Sequence, residues 1–212
     1  MELTQARDIV YQAGLDLVRE GLVARTWGNI SLRLDSRSFI ITPSGRSYET
    51  LKPTELVVVN IDDLSHEGNI KPSSEKGMHA GVYALRPEIN AVVHTHQRQA
   101  STVAAARKEV TGLSEAHARL LGESVRCAAY ALPGTKKLVK AAGSALGGGR
   151  KAALLANHGA VCIGCTMEEA FRVAKGLEGA CQSFIAEAFA GRYGNRAHTT
   201  EEMHACYLTT LP

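Results

Sequence analysis

Apolar residues recur at two spacings along the chain, and each spacing predicts one kind of element. Steps of three and four residues predict helices, and the segments concerned are 3–21, 75–85, 97–107, 114–121, 134–146 and 167–190. Short runs rich in apolar and β-branched residues predict strands, within 29–35, 38–45, 56–62 and 89–96 and on both sides of a turn in 151–164. Helices separate mostly short strands, several joined by tight turns. We therefore expect an α/β fold with a largely antiparallel sheet covered by helices.

The first predicted strand shows the alternation most clearly. Ile30, Leu32 and Leu34 alternate with Ser31 and Arg33. Successive side chains on a strand point to opposite faces, so the pattern predicts a half-buried strand. No internal repeat or linker interrupts the sequence, and residues 1–212 are therefore predicted to form one domain.

Composition narrows the class of protein. Of the 212 residues 45% are hydrophobic, enough for a full core, and the formal net charge is only +3. Charged residues are scattered, so no nucleic-acid partner is expected. No signal peptide is visible, and no apolar run approaches the roughly 20 residues that a membrane span requires. The five cysteines form no framework and are interpreted as reduced thiols, so we expect a cytoplasmic protein without a membrane partner.

Two histidines lie one residue apart at the end of the apolar run NAVVHTH. Alternate residues on a strand share a face, so His94 and His96 are expected side by side, as a divalent metal with nitrogen ligands requires. Two core histidines bonded to backbone carbonyls are the alternative. His158, at a turn after an apolar strand, is the best candidate for a third ligand of a catalytic zinc. His79 shares a helix face with Glu75 and is interpreted as a structural residue rather than as a partner of a metal ligand.

Three short polar segments, TWGNIS, TPSG and PSSE, offer small hydroxyls, an amide and glycine backbone N–H groups. Ser73 and Ser74 precede a predicted helix, where unpaired N–H groups and the helix dipole favour an anion. The segments together are predicted to hold a phosphate, with the Glu75 carboxylate directly after it. Each segment taken alone is better explained as an asparagine turn, a proline–glycine turn or a serine cap, respectively, and only their combination with Glu75 favours the phosphate site.

The motifs T-x-GNIS, TPSG, KPSSE, MHAGVYALRP, NAVVHTH and NHG, taken in this order, resemble the class II aldolase/adducin family over roughly residues 5–190. Within the family the likeness is greatest to the L-fuculose-1-phosphate aldolases. The resemblance implies an antiparallel-rich sheet between helix layers and a homotetramer with active sites at subunit interfaces. It also implies a C-terminal tail that diverges from about residue 191.

By position, the resemblance implies zinc ligands at His94, His96 and His158, with Mn²⁺ or Co²⁺ as alternative metals. Glu75 would be the acid/base and would also contact the metal while no substrate is bound. The substrate phosphate would be held by residues of the three polar segments: Thr26, Gly28, Asn29, Thr42, Ser44, Gly45, Ser73 and Ser74.

The implied reaction is the reversible cleavage of a ketose 1-phosphate to dihydroxyacetone phosphate and an aldehyde. One departure concerns the second proton-handling group, because residues 114–127 contain His117 but no tyrosine where the family usually has one. Tyr207 is a loose match to a second family tyrosine and is assigned that role. We therefore predict a sugar specificity that differs from fuculose, for example a deoxypentulose 1-phosphate such as 5-deoxyribulose 1-phosphate.

Three alternative functions remain on the same scaffold. L-Ribulose-5-phosphate 4-epimerases usually carry aspartate at the position of Glu75, so the glutamate favours the aldolase. A methylthioribulose-1-phosphate dehydratase keeps a glutamate and is not separated by the sequence. An adducin-like binding domain is disfavoured because relatives of that kind have lost metal ligands that this chain retains.

Overall fold

The computed structural model describes residues 1–23, 27–195 and 197–209. Its helices are α1 (Leu3–Arg19), α2 (Lys76–Leu85), α3 (Arg98–Ala105), α4 (Glu115–Leu121), α5 (Lys136–Ala145), α6 (Met167–Tyr193) and α7 (Thr200–Thr209). Its strands are β1 (Asn29–Arg33), β2 (Ser38–Ile41), β3 (Val57–Asn60), β4 (Ala91–Thr95), β5 (Cys127–Ala128), β6 (Ala152–Leu155) and β7 (Gly159–Gly164), with one short 3-10 helix at Pro53–Glu55. Every helix and strand predicted from the sequence is present.

The seven strands form one sheet in the order β3-β2-β1-β4-β7-β6-β5. All neighbouring pairs are antiparallel except β5 and β6, which run parallel. The central strands β1, β4 and β7 have neighbours on both sides, so their backbone groups are paired and their ends are held rigidly. The predicted α/β fold with a largely antiparallel sheet is confirmed.

Helices cover both faces of the sheet and bury a separate apolar cluster on each. On one face Val10 of α1, Val103 of α3 and Leu177 of α6 belong to the same buried cluster as Ile30 of β1. The other face is covered by α2 and α5, whose residues cluster with Val92 of β4. This arrangement is the predicted sheet between helix layers, and it is favoured by strands such as β4, whose two faces are both apolar.

The half-buried character predicted for the first strand is wrong. Ser31 of β1 is fully buried, and Arg33 is only partly exposed. Helix α2 lies over this polar face, where Arg33 donates hydrogen bonds to the carbonyl oxygens of Tyr83 and Ile89. The alternation correctly indicates a strand. It does not show whether the polar face of the strand meets water or a helix with matching polar side chains, because both give the same sequence pattern.

Helix α7 and the two-residue strand β5 were not predicted. The α7 sequence shows no clear apolar stripe, because its attachment to the protein is partly polar. His204 of α7 is buried and donates from Nε2 to Oε1 of Gln99 at 2.5 Å, while Nε of Arg98 donates to its Nδ1 at 3.1 Å. These contacts dock α7 on the start of α3. The single-domain boundary and the divergent tail stay predictions.

Among the described residues, no helix combines the length and apolar character needed to cross a membrane.

Gly159→Ala tests the close approach of β7 to β4. A β-carbon at this position would overlap the carbonyl oxygen of Thr95 and would lie 3.4 Å from Cε1 of His94. Overpacking of this kind costs about 1–3 kcal/mol, so we expect the free energy of unfolding in urea to fall by that amount. Gly191→Ala is the control, because nothing lies within 4 Å of its β-carbon and alanine favours the helix. Equal stability of both variants would contradict this packing.

Candidate metal centre and active site

Three imidazoles meet where strands β4, β6 and β7 end. His94 is the fourth residue of β4, His96 follows that strand by one residue, and His158 lies in the turn between β6 and β7. Their ring centroids are 4.7, 4.8 and 5.0 Å apart, and one ligand atom from each lies within 4.8 Å of those from the other two. The period of the strand and the β6–β7 turn therefore bring together the three residues predicted as metal ligands.

The hydrogen bonding of His94 suits it to a metal. Its Nδ1 lies 2.8 Å from the carbonyl oxygen of Ala160, which can only accept, so Nδ1 carries the hydrogen and Nε2 presents a lone pair. That Nε2 atom is 2.9 Å from Nε2 of His96 and 3.1 Å from Oε2 of Glu75. Electron-rich atoms this close repel one another unless protons or a cation compensate them. A divalent cation satisfies them without added protons, so this donor set fits the predicted zinc.

Glu75 connects the imidazoles to the rest of the site. It is the N-cap residue of α2 and only 6% exposed. Its Oε2 accepts a hydrogen bond from Nδ2 of Asn29 at 3.0 Å. Its Oε1 lies 3.4 Å from Nε2 of His158 and has no hydrogen-bond partner among the described residues. The carboxylate therefore has one oxygen held by an amide and one oxygen available for chemistry.

The electrostatics favour ionisation of Glu75 and disfavour protonation of His96 and His158. Burial acts to raise the pKa of Glu75, but its contacts with His94, His158 and Asn29 outweigh burial and hold that pKa well below its usual range. Burial lowers the pKa of His96 to about 4, with His94 and His158 acting in the same direction. Burial likewise lowers the pKa of His158. Neutral imidazole is the form that binds a metal.

The polar segments TPSG and PSSE lie against each other beside Glu75. The backbone N–H of Ser73 donates to the carbonyl oxygen of Thr42 at 3.1 Å, and the backbone N–H of Ser44 donates to the carbonyl oxygen of Lys71 at 3.0 Å. The hydroxyl of Ser73 in turn accepts from the backbone N–H of Glu75 at 3.2 Å. The predicted phosphate residues of these two segments are therefore neighbours of the acid/base candidate at the start of α2.

The individual phosphate candidates differ in their surroundings. Ser44, Gly45 and Ser74 are exposed, whereas Thr42 and Asn29 are buried. The Thr42 hydroxyl accepts a hydrogen bond from the backbone N–H of Ile30 in β1. The Asn29 amide is hydrogen-bonded to the buried side chains of Glu75 and His79. Exposed donors are free to meet a ligand, while the buried ones support the structure around them.

Gly28 has a structural requirement of its own. Its φ is +93°, and a β-carbon there would lie 2.6 Å from the carbonyl oxygen of His94. Only glycine accepts this backbone conformation and this close approach without strain. Gly28 thus allows the chain to run directly beside the metal-ligand strand.

Some predicted residues cannot be placed in the site. Thr26 and the side chain of Tyr207 lie outside the part of the chain that the structure describes, so their roles stay predictions. His117 is half-buried on α4, a helix that packs against α6.

Sequence reasoning missed the true environment of Asn29 and His79. Nε2 of His79 lies 2.5 Å from Oδ1 of Asn29, and the other end of this amide is bonded to Glu75. His79 was interpreted as a structural residue, yet it is connected to the acid/base candidate Glu75 through the side chain of Asn29. The i, i+4 spacing of Glu75 and His79 on α2 was the available signal, but it did not reveal the asparagine of β1 between them.

A seven-stranded sheet between helices carries three imidazoles and a carboxylate at the strand ends, and this defines an α/β protein with a candidate metal site. The sequence matches the Class II Aldolase and Adducin N-terminal domain family over residues 8–185, and the chain belongs to this family.

Individual relatives agree with that membership. The chain is 38% identical over 185 residues to a 5-deoxy-D-ribulose 1-phosphate aldolase of Bacillus thuringiensis serovar kurstaki, covering 87% of this chain and 86% of the relative. It is 39% identical over 119 residues to an L-ribulose-5-phosphate 4-epimerase of Salmonella paratyphi B, covering 56% and 52%. A solved L-fuculose 1-phosphate aldolase superposes with a TM-score of 0.83 at 31% identity, covering 97% and 95%. The predicted family and the predicted enzyme of the class II aldolase type, a lyase, are confirmed.

His158→Ala tests whether the three imidazoles bind a metal together. Removing one of the three candidate ligands leaves fewer bonds to the metal, so we expect the affinity for Zn²⁺ to fall more than about 100-fold. Mutation of a residue that contacts only a ligand, and not the metal, typically lowers the affinity about 10–100-fold. The measurement is a competition titration against a chromophoric chelator. His66→Ala is the control and should bind like the wild type, because His66 is an exposed histidine that forms a β-bridge with Val59, outside the imidazole cluster. Unchanged affinity in His158→Ala would exclude this residue as a ligand.

Proposed function

We propose that the protein is a zinc-dependent class II aldolase that reversibly cleaves a ketose 1-phosphate to dihydroxyacetone phosphate and an aldehyde. The observation that carries the proposal is the position of Glu75. Its side chain contacts the imidazoles of His94 and His158, and its backbone N–H contacts the hydroxyl of Ser73. Glu75 therefore contacts the proposed metal ligands, lies next to the proposed phosphate site and is itself the proposed base.

The proposed metal ligands are His94, His96 and His158, with Glu75 as a further ligand while no substrate is bound. A divalent metal, when bound, supplies Lewis-acid stabilisation of negative charge that develops on the substrate oxygens. Zinc is proposed because three imidazoles with an open position suit it, and Mn²⁺ or Co²⁺ would be held by the same nitrogen ligands.

The phosphate is proposed to bind where TPSG and PSSE meet the start of α2. Ser44 and Ser74 offer exposed hydroxyls, Gly45 offers a backbone N–H, and the helix N-terminus favours an anion. Thr42 and Ser73 would hold these two segments in register beneath it. Anchoring the phosphate here would fix the distance from the sugar carbons to Glu75.

Glu75 is proposed to move a proton at C3. In synthesis its carboxylate takes the C3 proton of dihydroxyacetone phosphate, and the C–H electron pair stays on the substrate and delocalises into the C2 carbonyl. In cleavage the C3–C4 pair remains on C3, and Glu75 returns the proton there. In synthesis the aldehyde oxygen gains a proton as the C4 hydroxyl forms, and the Tyr207 phenol is the proposed donor; in cleavage, the reverse of this step, the C4 hydroxyl proton returns to the phenolate oxygen of Tyr207.

The proposed substrate is a smaller or deoxygenated ketose, such as 5-deoxyribulose 1-phosphate, rather than fuculose 1-phosphate. Residues 114–127 carry His117 in place of the tyrosine that fuculose aldolases use near the aldehyde half. A similar relative is named a 5-deoxy-D-ribulose 1-phosphate aldolase, which supports this assignment. Epimerisation of a ketose 5-phosphate is the second candidate, favoured by the identity with the L-ribulose-5-phosphate 4-epimerase over part of the chain.

A cytoplasmic homotetramer with active sites at subunit interfaces is proposed as the working form. Trp27 is 53% exposed, and its ring centroid lies 5.9 Å from that of His96, so apolar surface adjoins the site. Exposed aromatic residues are enriched at protein interfaces. Light scattering should give about four times the chain mass of 22.7 kDa.

Glu75→Gln tests the proposed acid/base. Glutamine keeps the shape of the side chain but cannot accept the proton, so we expect cleavage to fall about 10²- to 10⁴-fold while Zn²⁺ remains bound. The measurement is dihydroxyacetone phosphate release by the metal-loaded variant. Glu67→Gln, an exposed glutamate, is the control with wild-type activity. Turnover of Glu75→Gln at the wild-type rate would reject this role.

A substrate panel separates the candidate reactions. We expect 5-deoxyribulose 1-phosphate to give a higher kcat/KM than L-fuculose 1-phosphate, because the family tyrosine near His117 is absent. Product analysis of ketose 1-phosphates and L-ribulose 5-phosphate should detect dihydroxyacetone phosphate and no epimer. An epimerised 5-phosphate as the main product would establish the second candidate instead.

A further inference from the structure

A chain of four hydrogen bonds runs from the interior of the protein to the Glu75 carboxylate. Oη of Tyr83 lies 2.7 Å from Oγ of Ser31, which is 2.6 Å from Nδ1 of His79. Nε2 of His79 is 2.5 Å from Oδ1 of Asn29, whose Nδ2 donates to Oε2 of Glu75 at 3.0 Å. All five side chains are buried, between β1 and helix α2.

The bond that Nδ2 of Asn29 donates to Oε2 of Glu75 fixes the direction of the other three bonds. A carboxylate only accepts, so the NH₂ end of Asn29 faces it and the Oδ1 end faces His79. Oδ1 also only accepts, so Nε2 of His79 carries the hydrogen and its Nδ1 accepts from Ser31. The Ser31 oxygen then accepts from Tyr83. Reversing any one bond would place two acceptors or two hydrogens against each other.

Burial keeps the chain in this protonation state. It lowers the pKa of His79 to about 3, and His94 acts in the same direction against an opposing effect of Glu75. The ring is therefore neutral at neutral pH, with one N–H and one lone pair. Burial also raises the pKa of Tyr83 well above its usual range, so the phenol keeps the hydrogen that it donates.

We propose that His79 is a positioning residue for proton transfer: acting through Asn29, it fixes Oε2 of Glu75 and leaves Oε1 as the oxygen that exchanges the proton. Oε1 carries no hydrogen bond among the described residues, whereas Oε2 accepts from Asn29. The catalytic consequence rests on the proposed aldolase function. The hydrogen-bond chain itself does not.

The proposal reassigns Asn29. Its two amide ends are used by His79 and Glu75, so its main task is to orient the carboxylate rather than to bind phosphate. It also explains the polar face of β1. Asn29 and Ser31 alternate with the apolar Ile30, and both point toward α2. The residues of that face form the buried chain.

The first test reads the tautomer of His79 directly and needs no substrate. Long-range ¹H–¹⁵N spectra of the zinc-loaded protein at neutral pH should show His79 with the hydrogen on Nε2 and an unprotonated Nδ1 that accepts a hydrogen bond. His94 should show the opposite tautomer, because its Nδ1 donates to Ala160. A His79 signal with hydrogen on Nδ1, or with both nitrogens protonated, would overturn the proposed direction of the chain.

The second test compares two replacements of His79. His79→Leu removes the donor to Asn29, and we expect kcat for cleavage to fall on the order of 10–100-fold, with KM affected much less and zinc still bound. His79→Gln retains an N–H near the position of Nε2 and should recover most of kcat. Tyr83→Phe removes only the last hydroxyl and should lower kcat less than His79→Leu.

Stability is separated from positioning by a control. Ser124→Ala removes a buried hydroxyl that is hydrogen-bonded to Glu109 and Arg150 and takes no part in the chain of hydrogen bonds to Glu75. This variant should have a lower free energy of unfolding and an unchanged kcat. Equal kcat in wild type, His79→Leu and His79→Gln would overturn the positioning role. A wild type that cleaves no ketose phosphate would reject the proposed function, while the tautomer measurement would still decide the hydrogen-bond chain.

Discussion

A negatively charged carboxylate lies almost completely out of water in this protein, and the residues around it are arranged to compensate that charge. Glu75 is 6% exposed, yet its pKa is held below the usual range rather than raised as burial alone would cause. An unpaired buried charge would destabilise the fold strongly. The amide of Asn29 and the imidazole cluster prevent this, and the same contacts hold the carboxylate in one orientation.

The sheet makes this arrangement possible. Asn29 of β1 pairs with His94 of β4, so the residue that holds the carboxylate and the first metal-ligand candidate are cross-strand neighbours. Glu75 is the N-cap residue of helix α2, and this helix lies over the same face. Because central strands are fixed by neighbours on both sides, these groups have little freedom to move apart. Rigid elements of this kind are what precise catalytic geometry requires.

The clustering of the three imidazoles could be predicted from the sequence because it depends on local rules. A period of two residues placed His94 beside His96, and a turn after an apolar strand made His158 the third candidate. The fold class followed from the spacing of short strands and helices. Each of these rules uses only residues that are close to one another in the sequence.

The contacts of Asn29 and His79 depend on distant parts of the chain, and for that reason they could not be predicted. Fifty residues separate the two in sequence, and the polar side of β1 reads equally well as a surface that faces water. Only the packing of α2 on that face reveals that Ser31 is interior. The docking of α7 through His204 is a similar case, since polar contacts leave no apolar period to detect.

Dependence of carbon–carbon cleavage on the bound metal tests the central claim most directly. The account predicts that dihydroxyacetone phosphate release from a ketose 1-phosphate stops when the protein is stripped with a chelator and returns when Zn²⁺ is added back. Cleavage at the same rate by the fully stripped protein would contradict it, because the imidazole cluster and Glu75 would then not work as one site.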